Sequence, residues 1–297
     1  MSTLPVIAAV DGSDDSLRAL DWALDAARGR RAPLRVVHVR QYTAWVQPDG
    51  LVTGPPDADE DAVLKQARTR VSEAADRPVT EYLALDGTPS ALLPELGATA
   101  QLLVLGSRGR GGFASLLLGS NGMAVARDAE CPVVVVPRPG REVEPMEPAE
   151  PGPRVVVGLR ADSPDETTLA VAFAEAAVRG ARLHVVSAYQ WPLQTWAMPG
   201  ELSAVMIDQD AVEAETRTLA EGFLAPHREN RPDVRVDLYV APGDAAGHLV
   251  SASKDAELVV VGRHRRRLLA PARMMGSVTQ AVLLHAASPV AVVPPGS

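Results

Sequence analysis

The chain holds one cysteine, Cys131, among 297 residues. That excludes an intrachain disulfide and suits a reducing compartment. The setting Cys131-Pro132-Val133-Val134-Val135-Val136 predicts a buried structural thiol. No segment has the length and apolarity of a membrane span, and Met1 to Pro5 does not begin a signal peptide. The expectation is a cytoplasmic protein that makes no membrane contact. Excess positive charge is missing too: 29 Lys and Arg against 37 Asp and Glu leave a net charge of −8. Such a balance gives no general attraction to nucleic acid. No Gly-x4-Gly-Lys-Ser/Thr motif occurs, which excludes a P-loop engine. The six histidines show no metal-ligand spacing, which argues against zinc. No Ser-His-Asp arrangement can be assembled from the sequence.

What is present is one unit written twice. Val6-Ile7-Ala8-Ala9-Val10 matches Val155-Val156-Val157-Gly158-Leu159, and Leu34 to Val39 matches Leu183 to Ala188, both at an offset of 149. The offset becomes 156 between Leu102 to Gly106 and Leu258 to Gly262, and 157 between Pro132 to Pro137 and Pro289 to Pro294. Such self-similarity marks a duplicated unit. The domains are therefore drawn at 1–140 and 154–297. Residues 141–153, rich in Pro and Glu, read as a semi-extended, solvated linker.

Short apolar runs alternate with longer helical patterns in each half. In the first, strands are expected near 5–10, 34–39, 79–85, 102–106 and 132–137, and helices near 14–29, 58–76, 89–98 and 119–129. Leu17, Leu20, Ala23, Leu24 and Ala27 make one helical stripe, with Ser13 or Asp14 as cap. Val133 to Val136 shows no polar alternation, so both sheet faces should be covered. That is the mark of a parallel sheet between helices. Ligands meet such sheets beyond the carboxyl ends of the strands.

A glycine framework occupies one of those ends. Directly after Leu102-Leu103-Val104-Leu105 come Gly106-Ser107-Arg108-Gly109, nine residues, and Gly119-Ser120. Strand, glycine-rich loop and helix start in that order make a site for nucleotide phosphates. Glycine lets a ligand approach the backbone, and N–H groups at a helix start favour an anion.

The pattern Gly-x2-Gly-x9-Gly-Ser resembles the nucleotide-binding signature of the universal stress proteins. Val10-Asp11-Gly12-Ser13 is similar to their first strand and turn, and Cys131 to Pro137 to their last strand. The resemblance runs over nearly the whole chain as two copies. It implies two tandem flavodoxin-like (Rossmann-like) α/β domains, each with a five-stranded parallel sheet and helices on both faces. It also implies pairing through the last strands, so that Val133–Val136 and Val290–Val293 would meet within the chain. Asp11, with Gly12 beside it, would contact the adenine side of the nucleotide. Val39 would contact adenine through its backbone, and Leu105 and Gly106 would flank the ribose. The phosphates would sit on Ser107, Arg108, Gly109, Arg110, Gly111 and Gly112, and on Gly119, Ser120 and Asn121. Arg108 and Arg110 would add charge-assisted hydrogen bonds. A structural alternative for Asp11 is capping of the first helix.

The second copy departs from this pattern. Arg160 and Ala161 replace Asp11 and Gly12. Its loop reads Gly262-Arg263-His264-Arg265-Arg266-Arg267, with Arg265 in place of the second glycine and Pro271 further on. Ten residues, not nine, then precede Gly276-Ser277. A side chain there resists a left-handed backbone and close approach. The arginine run reads as a solvated loop, with an anion site as the alternative. His38 reads as a strand-end residue, either core or lining the crevice. Trp191 and Trp196 are expected to be buried.

The functional expectation is an ATP-binding stress-response or signalling module without efficient turnover. ATP is the expected cofactor, with Mg²⁺ as an optional companion. A slow ATPase or phosphotransferase and an interaction protein that binds no nucleotide are the alternatives. Expected partners are the adenine nucleotide, an unidentified protein and a second copy of the chain.

Overall fold

The computed structural model describes residues 3–41, 60–109, 118–146, 151–189, 208–263 and 275–296. In the first half, strands β1 (Val6–Ala9), β2 (Leu34–Arg40), β3 (Thr80–Asp86), β4 (Leu102–Gly106) and β5 (Val133–Val136) alternate with helices α1 (Asp14–Arg30), α2 (Ala62–Glu73), α3 (Pro89–Glu95) and α4 (Ser120–Asp128). The second half repeats this with β6 (Arg154–Gly158), α5 (Glu166–Arg179), β7 (Arg182–Tyr189), α6 (Gln209–Asn230), β8 (Val236–Pro242), α7 (Ala245–Ala252), β9 (Leu258–Gly262), α8 (Ser277–His285) and β10 (Val290–Val293).

The ten strands form one sheet in the order β3-β2-β1-β4-β5-β10-β9-β6-β7-β8. Neighbours within each half are parallel. At the seam β5 and β10 run antiparallel, with Val135 opposite Val290, Val134 opposite Ala291 and Val133 opposite Val292. The expected pairing of the two last strands is thus present. All four residues of each seam strand are buried.

One face of the sheet is covered by α1, α2, α5 and α6, whose Leu20, Leu64, Phe173 and Leu224 are buried in a single core layer. The other face is covered by α3, α4, α7 and α8, with Leu93, Val125, Leu249 and Leu283. Each layer runs across the seam, so the halves share their cores.

Local chemistry explains the element ends. Ser13 caps α1 by accepting the Ser16 N–H at 3.2 Å, and Asp14 and Asp15 stand in the first turn. The chain leaves α1 through Arg31 in the left-handed region, φ 51°. α2 is shorter than the sequence pattern suggested because Asp61, not a residue near 58, caps it through the amides of Val63 and Leu64. Of the linker, residues 141–146 and 151–153 are described, and the first of these stretches is not simply solvated. Arg141 Nη1 donates to the Ala286 carbonyl at 2.8 Å, and the Met146 N–H donates to Ser251 O at 3.3 Å. Met146 also packs on the second core layer.

A polar tie supplements the seam. Glu175 on α5 is buried and binds both Arg30 of α1 and Arg179 of its own helix. The Arg179 guanidinium lies 5.2 Å from the Trp22 ring centre. Gly29 permits this approach, since a Cβ there would stand 2.8 Å from Val178 Cγ1. Removing one member of a buried ion pair leaves its partner charged and unsatisfied. Glu175→Ala should therefore lower the unfolding free energy by about 3–5 kcal/mol, read from urea denaturation.

Cys131 is buried, and burial pushes its thiol up to about 11. The thiol stays protonated near neutral pH, and only the thiolate attacks alkylating reagents. Native protein at pH 8 should resist iodoacetamide, whereas urea-unfolded protein should be alkylated at Cys131, as read by mass spectrometry.

Candidate functional site

In the first half the strand order reverses between β1 and β4, and in the second between β6 and β9. Such a switch point opens a crevice at the carboxyl ends of the two central strands. Asp11 follows β1 there and Ser107 follows β4.

The turn after β1 needs Gly12, whose φ of 77° disfavours a side chain. Asp11 Oδ1 accepts the Ser13 N–H at 3.0 Å and the Ser13 hydroxyl at 2.6 Å. Asp11 therefore braces the cap of α1 and is not itself the cap. Its other oxygen meets the glycine loop: a Cβ on Gly109 would stand 2.5 Å from Asp11 Oδ2. A side chain at the second loop glycine would have to displace the Asp11 carboxylate.

Gly106 is equally constrained. A Cβ there would lie 2.6 Å from the Asp15 carbonyl group at the start of α1. Ser107, 1% exposed, works through its main chain. Its N–H donates to Val136 O at 2.9 Å, and its carbonyl accepts the Gly119 N–H at 2.9 Å. Strand β5, the loop and the entry to α4 are thus joined at one residue. Gly119 precedes α4, and no side chain caps the helix. Ser120 and Asn121 are exposed in its first turn, where amide donors and the helix dipole favour an anion.

Beneath this loop lies a buried carboxylate that the sequence did not signal. Asp15 is 1% exposed and binds Arg18, Arg138 Nε at 3.1 Å and Ser107 Oγ at 3.3 Å. An acidic residue in a helix's first turn normally faces water, so sequence pattern carries no hint of this role. Arg138, just past β5, gives no signal either.

The remaining expected residues divide in two. Leu105 is buried in β4, and Val39 is buried near the end of β2, with its side chain in the core and its register opposite Leu85 of β3. Arg108 is half-buried, its carbonyl 3.4 Å from the Ser13 hydroxyl. Arg110, Gly111 and Gly112 lie outside the described residues, as do Trp191 and Trp196. His38 does not end its strand. It sits inside β2, with Nδ1 2.8 Å from Asp61 Oδ2. Burial raises the Asp61 carboxyl, but the His38 contact and the Leu64 and Val63 amides outweigh it and hold the group below its ordinary value.

The second half builds a different site. Arg160, in the place of Asp11, is paired with Asp162 through two bonds of 3.0 and 2.8 Å. Gly262 abuts Thr168 Oγ1 and Asp165 Oδ2, at 2.7 and 2.9 Å from a Cβ position. Gly276 precedes α8, which again has no side-chain cap. Arg263 corrects the expectation of a wholly solvated arginine run. Its side chain donates to the carbonyls of Ala126, at 3.3 Å, and Arg127 in the first half. His264, Arg265, Arg266, Arg267 and Pro271 lie outside the described residues.

The fold is a tandem pair of doubly wound α/β units, and at the switch point of the first Gly106, Gly109 and Gly119 stand around Asp11 and the start of α4. The sequence model of the universal stress protein family matches residues 4–137 and again 153–294, and the chain belongs to that family. Universal stress protein Rv2005c of Mycobacterium tuberculosis is 35% identical over 294 residues, 97% of this chain and 96% of its own. A solved universal stress protein of Archaeoglobus fulgidus superposes with a TM-score of 0.67 at 18% identity, covering 98% of each chain. A universal stress protein solved in complex with cAMP is 30% identical over 46% of this chain and 98% of its own, with a TM-score of 0.36.

The Asp61 bond network has a pH signature. A carboxyl held lower in the folded than in the unfolded state adds stability that is present above the unfolded value, 3.8, and is lost as pH falls through the folded one. Asp61→Ala should cost about 0.5–2 kcal/mol at pH 7, and the gap to the unaltered protein should narrow below pH 3.8. Urea midpoints between pH 7 and pH 3 measure it.

Proposed function

We propose that the first half binds an adenine nucleotide, ATP in the first instance, and that the chain works as a nucleotide-dependent stress-response module. One observation carries this reading. At the β1–β4 switch point two glycines, Gly106 against the Asp15 main chain and Gly109 against the Asp11 carboxylate, bring the loop after β4 close to the start of α1, and α4 opens at Gly119 with no side-chain cap. Family membership supports it, because the glycines stand where the family resemblance sets its phosphate loop.

The residues fit such a ligand in kind. On this reading Asp11 and the Val39 main chain meet the adenine side, and Leu105 and Gly106 flank the ribose. The amides of Ser120 and Asn121, with the Ser120 hydroxyl, are set for phosphate oxygens. Bound nucleotide would supply a phosphate chain that ties the loop to α4. Among the described residues no three His, Cys, Asp or Glu side chains gather as a metal site, so Mg²⁺ is assigned no protein ligand. The site holds a carboxylate already engaged by Ser13, together with glycines and hydroxyls. That set suits holding a nucleotide rather than turning it over. In the second half Arg160, paired with Asp162, and the Arg263 contact to α4 replace the corresponding groups, so one nucleotide per chain is the expected stoichiometry.

A ligand stabilises the state that binds it. ATP at a hundredfold excess over Kd should add about 2.7 kcal/mol, read as a rise in melting temperature. Gly109→Arg should abolish the rise by driving a side chain into Asp11. Gly119→Arg should abolish it with less disturbance, because a Cβ there meets nothing closer than Ser107 O at 3.8 Å. No rise with the unaltered protein, or an unchanged rise in both variants, would overturn the assignment.

A further inference from the structure

We infer that Arg263, a residue of the second half, is a positioning residue for the ligand site of the first; this rests on the nucleotide reading above. Arg263 occupies in the second half the place that Ser107 holds in the first. The N–H of each donates to the last strand of its own half, Arg263 to Val293 O at 2.7 Å and Ser107 to Val136 O at 2.9 Å. Beyond that shared bond the two part. The Ser107 carbonyl receives the Gly119 N–H and so sets the amino end of α4. The Arg263 guanidinium crosses the seam and binds Ala126 O and Arg127 O at the carboxyl end of the same helix. Two residues equivalent by duplication therefore hold opposite ends of α4.

The chemistry at the far end is favourable. The last carbonyls of a helix have no intrahelical donors, and a cation there complements the dipole. α4 has nine residues, about 13 Å in length. A rigid rod that short transmits a tilt at one end to the other. Arg263 thus fixes the aim of the Ser120 and Asn121 amides without touching the ligand. The arrangement is reciprocal in kind, since Arg141 of the linker binds Ala286 O at the carboxyl end of α8. The second half, changed at its own loop, steadies the phosphate helix of the first.

The test is calorimetric titration of ATP into the full chain and three variants. Arg263→Met keeps the aliphatic stem and removes the donors; it should weaken ATP binding five- to tenfold. Arg263→Lys restores the charge at the helix end and should recover most of the affinity. Gly119→Arg is the reference for complete loss. Amide hydrogen exchange without nucleotide gives an independent readout, with Arg263→Met raising exchange in the first turn of α4 while β1 and β4 stay protected. Equal ATP affinity in the unaltered chain and Arg263→Met overturns this inference and leaves the nucleotide reading standing. No binding by the unaltered chain overturns both. Global loss of protection in Arg263→Met, with no rescue by lysine, assigns Arg263 a merely structural part and overturns the inference as well.

Discussion

The architecture depends on the antiparallel contact of β5 with β10. Each half alone would end its sheet in a strand of Val and Ala with an unpaired ladder, which is a template for aggregation. Joining the two edges satisfies both ladders and turns two five-stranded sheets into one of ten. The contact also places α1 beside α5, where Glu175 is shared between Arg30 and Arg179. Both core layers pass through the seam, so the halves are bound by burial as well as by hydrogen bonds.

The same seam reaches the candidate site. β5 receives the Ser107 N–H at Val136, and Ser107 in turn fixes the start of α4. Arg138, two residues past β5, pairs with the buried Asp15 beneath the loop, as does Arg18. The glycine loop therefore rests on the strand that joins the halves. At Gly106 the Asp15 main chain leaves no room for a side chain, and at Gly109 a side chain would have to displace the Asp11 carboxylate.

Duplication followed by divergence explains the asymmetry. The second unit keeps the tight glycine after its fourth strand and the uncapped start of its last helix. It has exchanged Asp11 for an arginine paired with Asp162, and Ser107 for an arginine that serves the other half. One copy keeps the groups of the proposed nucleotide site; in the other, the position of Ser107 has been turned toward a contact between copies.

The sequence by itself determined the repeat, the alternation of elements and the position of the loop, because these rest on period, on short-range turn chemistry and on glycine spacing. Val133 to Val136 read as doubly covered since no polar residue interrupts them, and the structure buries all four. Tertiary structure alone decided which charges are used. Asp15 in a helix's first turn, Arg138 after a strand and Arg263 in an arginine run look like solvated surface in the linear chain. Each is engaged by partners more than ninety positions away, brought near by strand order. Local pattern records the propensity of a segment, whereas the partner of a buried charge is set by which distant backbone arrives beside it.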